Sequence, residues 1–249
     1  MSEQFNIESV FEPDDYLYFY EEQLTEQRTA QEAEFIIAVL QPTVRQKILD
    51  LACGYGRHSI YLASKGYNVT GIDIISEFID KAQREGVAKS LTVNFVCSDM
   101  RQISFTEEFE HAYLLFNSFG YFDSDTNQDI LKRLARAVKS GGRVCLDIIN
   151  GSCAHIVPQP VTLTERTPDI MIDRWKVDKV AGYLSNQRII YRDGLRKDVP
   201  YSVKLYVLDE ISELLAKAGF ELLHVYGDYQ LGQFTADVSR RIICVVQKR

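Results

Sequence analysis

The spacing of hydrophobic residues changes along the chain and divides it into zones. Between residues 45 and 150, short apolar runs alternate with amphipathic stretches. "KILDLA", "YNVTGID", "LTVNFVCSD", "HAYLLFN" and "RVCLDIIN" each read as a buried strand. Between them, "RHSIYLASKG" reads as a helix closed by Gly66, and "SEFIDKAQREG" as one running from Ser76 to Gly86. "DSDTNQDILKRLARAVKSGG" starts with acidic caps, ends on lysine and glycine, and sets Ile130, Leu134 and Val138 at four-residue spacing. Regular strand–helix alternation with apolar strands predicts a parallel sheet covered on both faces.

The flanking zones follow other patterns. Residues 1–44 are acidic and tyrosine-rich, then helical. "TEQRTAQEAEFIIAVL" opens with a cap at Thr25, stripes Phe35, Ile36, Val39 and Leu40 on one face, and stops at Pro42. Residues 151–206 break the rhythm. "DIMIDRWKV", "QRIIYRD" and "YSVKLYV" partly alternate, with Gly182, Asn186 and Asp193-Gly194 between them, which predicts an antiparallel insertion. The α/β pattern resumes with "LDEISELLAKAGF", capped by Asp209, with Ile211, Leu214, Leu215 and Ala218 on one face and Gly219 past its end. "ELLHVYGD" and "RRIICVVQKR" close the sheet. The expected organisation is an N-terminal lid and helix (1–44), one α/β domain (45–150 and 207–249), and a β subdomain inserted at 151–206.

Composition narrows the class. A chain of 249 residues, 46% hydrophobic and 25% charged, suits one sizeable globular domain carrying an insertion. The formal net charge of −7 argues against general polyanion binding. No apolar run is long enough to span a bilayer, and the polar start "MSEQFNIESVFEPDD" does not suit a secretory signal. Cysteines 53, 97, 145, 153 and 244 form no CxxC pair and read as buried thiols of a reducing compartment, which points to the cytoplasm. Histidines 58, 111, 155 and 224 are scattered. Cys153-x-His155 alone is too little for a metal site, so none is expected.

The densest chemistry lies in "LDLACGYGR", Leu49 to Arg57. Open parallel sheets bind ligands beyond the carboxyl ends of their strands. Gly54 and Gly56 sit at that end of the first strand, where glycine allows a tight turn and close approach, and a helix N-terminus follows at Arg57. Asp73 ends the second strand, placed to accept hydrogen bonds from ribose hydroxyls. Asp99 ends the third and could read an adenine amino group. A nicotinamide or flavin cofactor is the rival, but Ser59 stands where GxGxxG needs its last glycine, and Asp50 sits poorly beside a pyrophosphate. It suits an ammonium and a sulfonium, both of which S-adenosylmethionine carries. The competing structural readings make Asp50 a turn residue and Asp73 and Asp99 local caps.

These residues carry a resemblance. "ILDLACGYGRHSIYLASKGYNVTGID" resembles the first two motifs of class I S-adenosylmethionine-dependent methyltransferases, and "FVCSDMRQISF" their third-strand motif. "LLFNSFGYF" is similar to the fourth-strand segment of the small-molecule branch, with its glycine/sarcosine and aminosugar N-methyltransferases. "SGGRVCLDIIN" matches the fifth strand. The resemblance implies a Rossmann-like doubly wound α/β fold, a seven-stranded sheet of order 3-2-1-4-5-7-6 with the last strand antiparallel. It places Asp50, Cys53, Gly54 and Gly56 at the methionine end of the cofactor, Asp73 on the ribose and Ile74 near the adenine. Asp99 and Met100 flank the adenine, and Phe116 and Asn117 lie near the methyl group. Tyr55 departs from the family pattern and is left unassigned.

The expected reaction is in-line transfer of a methyl group to nitrogen or oxygen of a small molecule, where positioning outweighs acid–base help. The base candidates are His58 and Asp147. "NSFGYF" lacks the proline-rich loop of base-amino methylation, and the chain has no Pro-Cys for cytosine C5 chemistry, which disfavours nucleic acid. Tyr16, Tyr18 and Tyr20 in "DYLYFYEE" suggest a lid. Acceptor candidates are Tyr16, Tyr20, Tyr121, Arg188 and Tyr191, and Arg28 is a candidate for the cofactor carboxylate. The insertion serves either as substrate cover or as a homodimer interface. The alternatives are a tRNA or protein acceptor, or a cofactor-binding protein without methyl transfer.

Overall fold

A computed structural model describes residues 6–156 and 160–249, the side chains of 154–156 excepted. The first residues of the polar start and the His155 side chain therefore lie outside the described residues. Two short helices, α1 (Ile7–Val10) and α2 (Pro13–Tyr20), precede α3 (Glu26–Leu40). Thr25 caps α3, its hydroxyl accepting from Arg28 N at 3.2 Å, and Gln41 leaves it in a left-handed conformation. The α/β unit then runs β1 (Lys47–Leu51), α4 (Arg57–Ser64), β2 (Asn68–Asp73), α5 (Ser76–Ala88), β3 (Asn94–Cys97), β4 (Phe109–Leu114), α6 (Ser124–Ala137) and β5 (Val138–Ile149). After a 3₁₀ turn come β6 (Val161–Arg166), β7 (Asp169–Asp178), β8 (Tyr183–Arg192) and β9 (Leu195–Lys204). The chain closes with α7 (Leu208–Lys217), β10 (Phe220–Tyr226) and β11 (Arg241–Lys248).

The seven-stranded sheet has the order β10-β11-β5-β4-β1-β2-β3. All pairings are parallel except those of β11, which runs antiparallel to β5 and β10, so the order and sense are those the resemblance implies. One face buries Ile130, Leu131 and Leu134 of α6 with Ile211 and Leu215 of α7. The other buries the α3 stripe, Phe35, Ile36, Val39 and Leu40, on Ile48, Tyr113 and Ile243. Burial on both faces explains why the strands read as continuous apolar runs.

Several elements differ from the pattern-based expectation. The inserted sheet has four antiparallel strands, not three, in the order β6-β7-β8-β9. β6, "VTLTER", is an edge strand with only two apolar residues, Val161 and Leu163, and both face solvent rather than a core. Helix α6 ends at Ala137, and "KSGG" belongs to β5. Asp209 lies inside the first turn of α7. The cap position is Val207, whose N–H donates to Glu210 Oε2 at 3.0 Å. β4 stops at Leu114, and Phe116 and Asn117 follow with φ of 61° and 59°. Cys97 is exposed, whereas Cys53, Cys145, Cys153 and Cys244 are buried. Among the described residues, no helix is long and apolar enough to cross a membrane, and no His/Cys/Asp/Glu group could hold a metal ion.

Helices α1 and α2 lie on the inserted sheet. Val10 and Phe19 pack with Met171, Ile190 and Val199. Asp15 takes Arg192 Nη1 at 2.8 Å and Lys197 Nζ at 2.6 Å. Buried Arg188 links Asp173 Oδ1 (2.7 Å) to the Tyr20 hydroxyl (2.7 Å). The N-terminal helices and the insertion are thus joined by a core and by charge.

Candidate functional site

The glycine loop between β1 and α4 needs left-handed backbone at Ala52, Gly54 and Gly56, with φ of 61°, 55° and 76°. Its two glycines do different work. A Cβ on Gly54 would meet no protein atom within 4 Å, so the loop is open there. A Cβ on Gly56 would stand 2.7 Å from the Phe95 ring and 2.9 Å from Ala82. Gly56 lets α4 close onto α5 and β3, and it does not line the cavity.

That cavity, about 1030 Å³ with its open mouth included, lies at the carboxyl ends of β1, β2, β3 and β4. Asp50, Cys53, Gly54, Asp73, Ile74, Asp99, Met100 and Phe116 all line it, and Asn117 does not. Asp50 is buried and accepts from the Ser59 hydroxyl at 2.6 Å. Burial raises its carboxyl to about 7, aided by nearby Asp73 and opposed by the Ser59 and Tyr113 hydroxyls. Asp73 accepts from Gly54 N at 2.7 Å and Ile75 N at 3.0 Å. Burial outweighs those N–H groups and raises its carboxyl as well. Asp99 behaves differently: burial opposes its ionisation, but the Arg101 guanidinium, 2.8 Å from Oδ2 through Nε, holds the carboxyl below its ordinary value.

Of the acceptor candidates, Tyr16 and Tyr121 line the cavity. Tyr20 and Arg188 do not; they belong to the joint between α2 and the inserted sheet. Tyr191 is exposed on that sheet. Arg28 also lies off the cavity, its Nε on Glu32 Oε1 at 2.9 Å and its Nη1 on the Gln23 carbonyl. Of the base candidates, His58 lines the cavity, and its Nε2 is 2.8 Å from Glu32 Oε2. Burial and the Arg57 charge push the imidazole down to about 4, so it is neutral and donates to Glu32. Asp147 is fully buried away from the cavity. Its carboxylate accepts from Arg241 Nε (2.6 Å), Tyr229 Oη (2.5 Å) and Phe116 N (2.8 Å), and so fixes the left-handed turn after β4.

The sequence reading did not single out Glu32 or Arg57. Glu32, 2% exposed, collects Arg28, Arg57 Nη1 (2.5 Å) and His58. Burial alone would raise its carboxyl, but the His58 hydrogen bond and the neighbouring cations hold it at about 2. Glutamate inside a helix gives no local sign of burial. Arg57 carried a signal: it is the first helical residue after the second glycine and faces the ligand end of the sheet. Phe11, Tyr55, Phe78 and Phe122 add further rings to the cavity wall.

The residues present fit S-adenosylmethionine. Open space at Gly54 admits a ligand against the backbone, Asp50 offers a carboxylate for an ammonium, and buried Arg57 Nη2 has no partner in the protein. A Rossmann-like sheet binds a nucleoside-bearing cofactor beyond its strand ends, and a buried carboxylate at Asp50 beside the glycine loop suits an ammonium better than a pyrophosphate. Residues 48–142 match the model of a family described as methyltransferase domain. YqeM of Bacillus subtilis, which is named as a methyltransferase with no stated acceptor, is 30% identical over 213 residues, 81% of this chain and 84% of its own. Glycine/sarcosine N-methyltransferase of Aphanothece halophytica is 27% identical over 220 residues, 82% of this chain and 77% of its own. An S-adenosylmethionine-dependent methyltransferase structure from Clostridium acetobutylicum superposes with a TM-score of 0.79 at 19% identity, over 98% of this chain and 99% of that one. The chain belongs to the class I S-adenosylmethionine-dependent methyltransferases, and S-adenosylmethionine is its cofactor.

Proposed function

We propose that this enzyme methylates the nitrogen of a small amine inside the cavity. One observation carries the reading: Ile7, Phe11, Tyr16 and Tyr121 lie across the same cavity that Asp50 and Gly54 line. An acceptor site made of rings and a helical cover suits a molecule that can be enclosed. It does not suit a tRNA or a protein surface, which calls for an open basic face. The glycine/sarcosine relative, a small-molecule N-methyltransferase by name, agrees with that reading.

Nitrogen is favoured over oxygen on chemical grounds. The bound cofactor supplies a methyl group on a positively charged sulfur. Asp50 would hold the methionyl ammonium, Asp73 the ribose hydroxyls, and Ile74, Asp99 and Met100 the adenine. The aromatic wall excludes water and offers ring faces to the positive charge that builds on an attacking amine. A neutral amine attacks without a base, whereas an alcohol or phenol must give up its proton. The histidine lining the cavity is neutral, weakly basic and bound to Glu32, so it is poorly suited to that task. The domain division at 45–150, 151–206 and 207–249 is part of the proposal, with the insertion supporting the N-terminal cover.

The test is calorimetric titration with S-adenosylhomocysteine beside NAD⁺, followed by a labelled-methyl screen of amines against matched alcohols and phenols. Micromolar binding of the homocysteine product, none of NAD⁺, and label on amines alone is the expected result. Label on phenols or on tRNA would replace the reading.

A further inference from the structure

Behind the aromatic wall of the cavity, and outside its lining, lies a buried ion pair. Arg188 on β8 and Asp173 on β7 are 4% and 5% exposed, and Arg188 Nε is 2.7 Å from Asp173 Oδ1. Another nitrogen of the guanidinium holds two phenols. Nη2 donates to the Tyr20 hydroxyl at 2.7 Å and to the Tyr201 hydroxyl at 3.3 Å. Asn186 supports the arrangement, its Nδ2 lying 2.6 Å from Asp173 Oδ1 and 3.0 Å from Tyr201 Oη. A buried ion pair seldom adds net stability, because desolvation cancels most of the attraction. A rigid fork of donors does fix the geometry of whatever it holds.

The two phenols lead to two rings that line the cavity. Tyr20 stacks on Tyr16, with ring centres 4.8 Å apart and 27° between planes. Tyr201 lies beside Tyr121 at 6.5 Å and 32°. Phe11 closes the circuit on the cavity side, edge-on to Tyr16 at 5.9 Å and to Tyr121 at 5.6 Å. The backbone next to Tyr121 is pinned to the same sheet: Lys204 N donates to Gly120 O at 2.7 Å, and a Cβ on Gly120 would stand 2.8 Å from Lys204 O. Tyr16 belongs to α2 and Tyr121 to the loop before α6, so neither element alone sets their spacing. Burial holds the hydroxyls of Tyr16, Tyr20, Tyr121 and Tyr201 above the ordinary phenol range. They are neutral, and their contribution is one of shape.

We propose that Arg188 is a positioning residue of the acceptor site, setting Tyr16 through Tyr20 and Tyr121 through Tyr201, so that the inserted sheet fixes the width of the acceptor slot. This rests on the reading that Tyr16 and Tyr121 face the acceptor. Asp50, Gly54 and Asp73 lie outside the circuit, so the cofactor end of the cavity does not depend on Arg188.

NMR of the full chain carrying ring-labelled tyrosine tests it, with the Tyr16 and Tyr121 signals assigned through Tyr16→Phe and Tyr121→Phe. In Arg188→Met both signals broaden or split, while that of Tyr229, held on Asp147, stays as in wild type. S-adenosylhomocysteine affinity by calorimetry stays within about twofold. Arg188→Lys keeps a charge beside Asp173 but has no fork to hold both phenols, and disturbs at least one of the two signals. Should Arg188→Met strand the Asp173 charge and fail to fold, Asp173→Asn combined with Arg188→Met removes the pair together and is expected to disturb the same two signals. Sharp, single Tyr16 and Tyr121 signals in a folded methionine variant overturn the proposal. So does a lysine variant identical to wild type, a disturbance that reaches Tyr229 equally, or wild-type signals that are already broad. With an amine found by the labelled-methyl screen, Arg188→Met raises the amine KM about tenfold and leaves that of S-adenosylmethionine within about twofold. A wild type that methylates no amine would overturn the amine reading, while the ring signals still decide the role of Arg188.

Discussion

The Asp73 carboxylate accepts a hydrogen bond from Gly54 N at 2.7 Å, tying the end of β2 to the loop that follows β1. One acidic residue thus shapes the glycine loop and faces the cavity at once. Each carboxylate oxygen retains a lone pair beyond its backbone bond, so ribose hydroxyls can still be accepted. Asp73→Ala is expected to weaken S-adenosylhomocysteine binding about tenfold to a hundredfold. Asp73→Asn, which can keep one backbone contact, should fall between. Calorimetry on both variants checks this; an unchanged affinity in Asp73→Ala would remove the residue from the site.

Gly54 and Gly56 should separate when each is replaced by alanine. At Gly56 the added methyl would overlap Phe95, a buried ring, at 2.7 Å, and φ is 76°. Overpacking and left-handed strain together predict a loss of about 2–5 kcal/mol in chemical denaturation. At Gly54 the methyl meets no protein atom, so only the conformational cost of about 1–2 kcal/mol applies. Its methyl would instead occupy ligand space, and Gly54→Ala should lose S-adenosylhomocysteine affinity out of proportion to its stability. Equal behaviour of the two variants would mean that both glycines serve packing.

How much of this was legible in the sequence follows from where information is local. Gly54, Asp50 and Asp73 were readable because strand ends and a glycine turn place them by spacing alone. Gly56 was readable as a glycine position but not as a packing one, since Phe95 comes from a different strand. β6 was not legible because it is a short edge strand in which threonines take the inward positions and its two apolar residues, Val161 and Leu163, face solvent. Arg188 drew attention as a basic residue in an insertion, yet its partners Asp173 and Tyr20 make it a strut. The Glu32 cluster joins α3 to α4 over a sequence gap that no motif spans. Long-range polar pairing has no periodic signature, and those are the contacts the sequence reading lacked.

The Asp50 carboxyl, raised to about 7, links cofactor binding to pH. In the free protein the group is half protonated near that value, and an ammonium placed beside it favours the carboxylate. Binding therefore expels a proton, and affinity for S-adenosylhomocysteine should fall as pH drops below about 7, by up to tenfold per unit. The stability sign is the reverse of the usual aspartate case. An unfolded aspartate ionises near 3.9, so between about pH 4 and 7 the folded form holds the extra proton. Stability of the free protein is lost as pH rises through that window and is level above it. Asp50→Asn should remove this loss, bind ligand weakly, and flatten the pH dependence. Titrations at about pH 6, 7 and 8, with thermal melts of the free proteins, read both effects. A pH-independent affinity in wild type would mean that Asp50 does not face the ammonium.

Asp147 offers the clearest contrast between a base and a brace. It is fully buried, takes Arg241 and Tyr229 side chains and the Phe116 N–H, and lies off the cavity. Phe116 and Asn117 both hold left-handed backbone, which costs non-glycine residues about 1–2 kcal/mol each and persists only where the surroundings impose it. Asp147→Asn breaks a buried ion pair and strands the Arg241 charge, so it should cost about 3–5 kcal/mol in denaturant unfolding. Tyr229→Phe removes one hydrogen bond, leaves the pair intact, and should cost about 1 kcal/mol while S-adenosylhomocysteine binding stays within about twofold. A base would behave otherwise: Asp147→Asn would fold normally, bind ligand normally, and lose the acidic limb of the pH–rate profile for whichever amine the screen identifies. A stable Asp147→Asn protein would therefore return the residue to the catalytic candidates, and an unstable one, with a mild Tyr229→Phe, would fix it as the support of the Phe116–Asn117 turn.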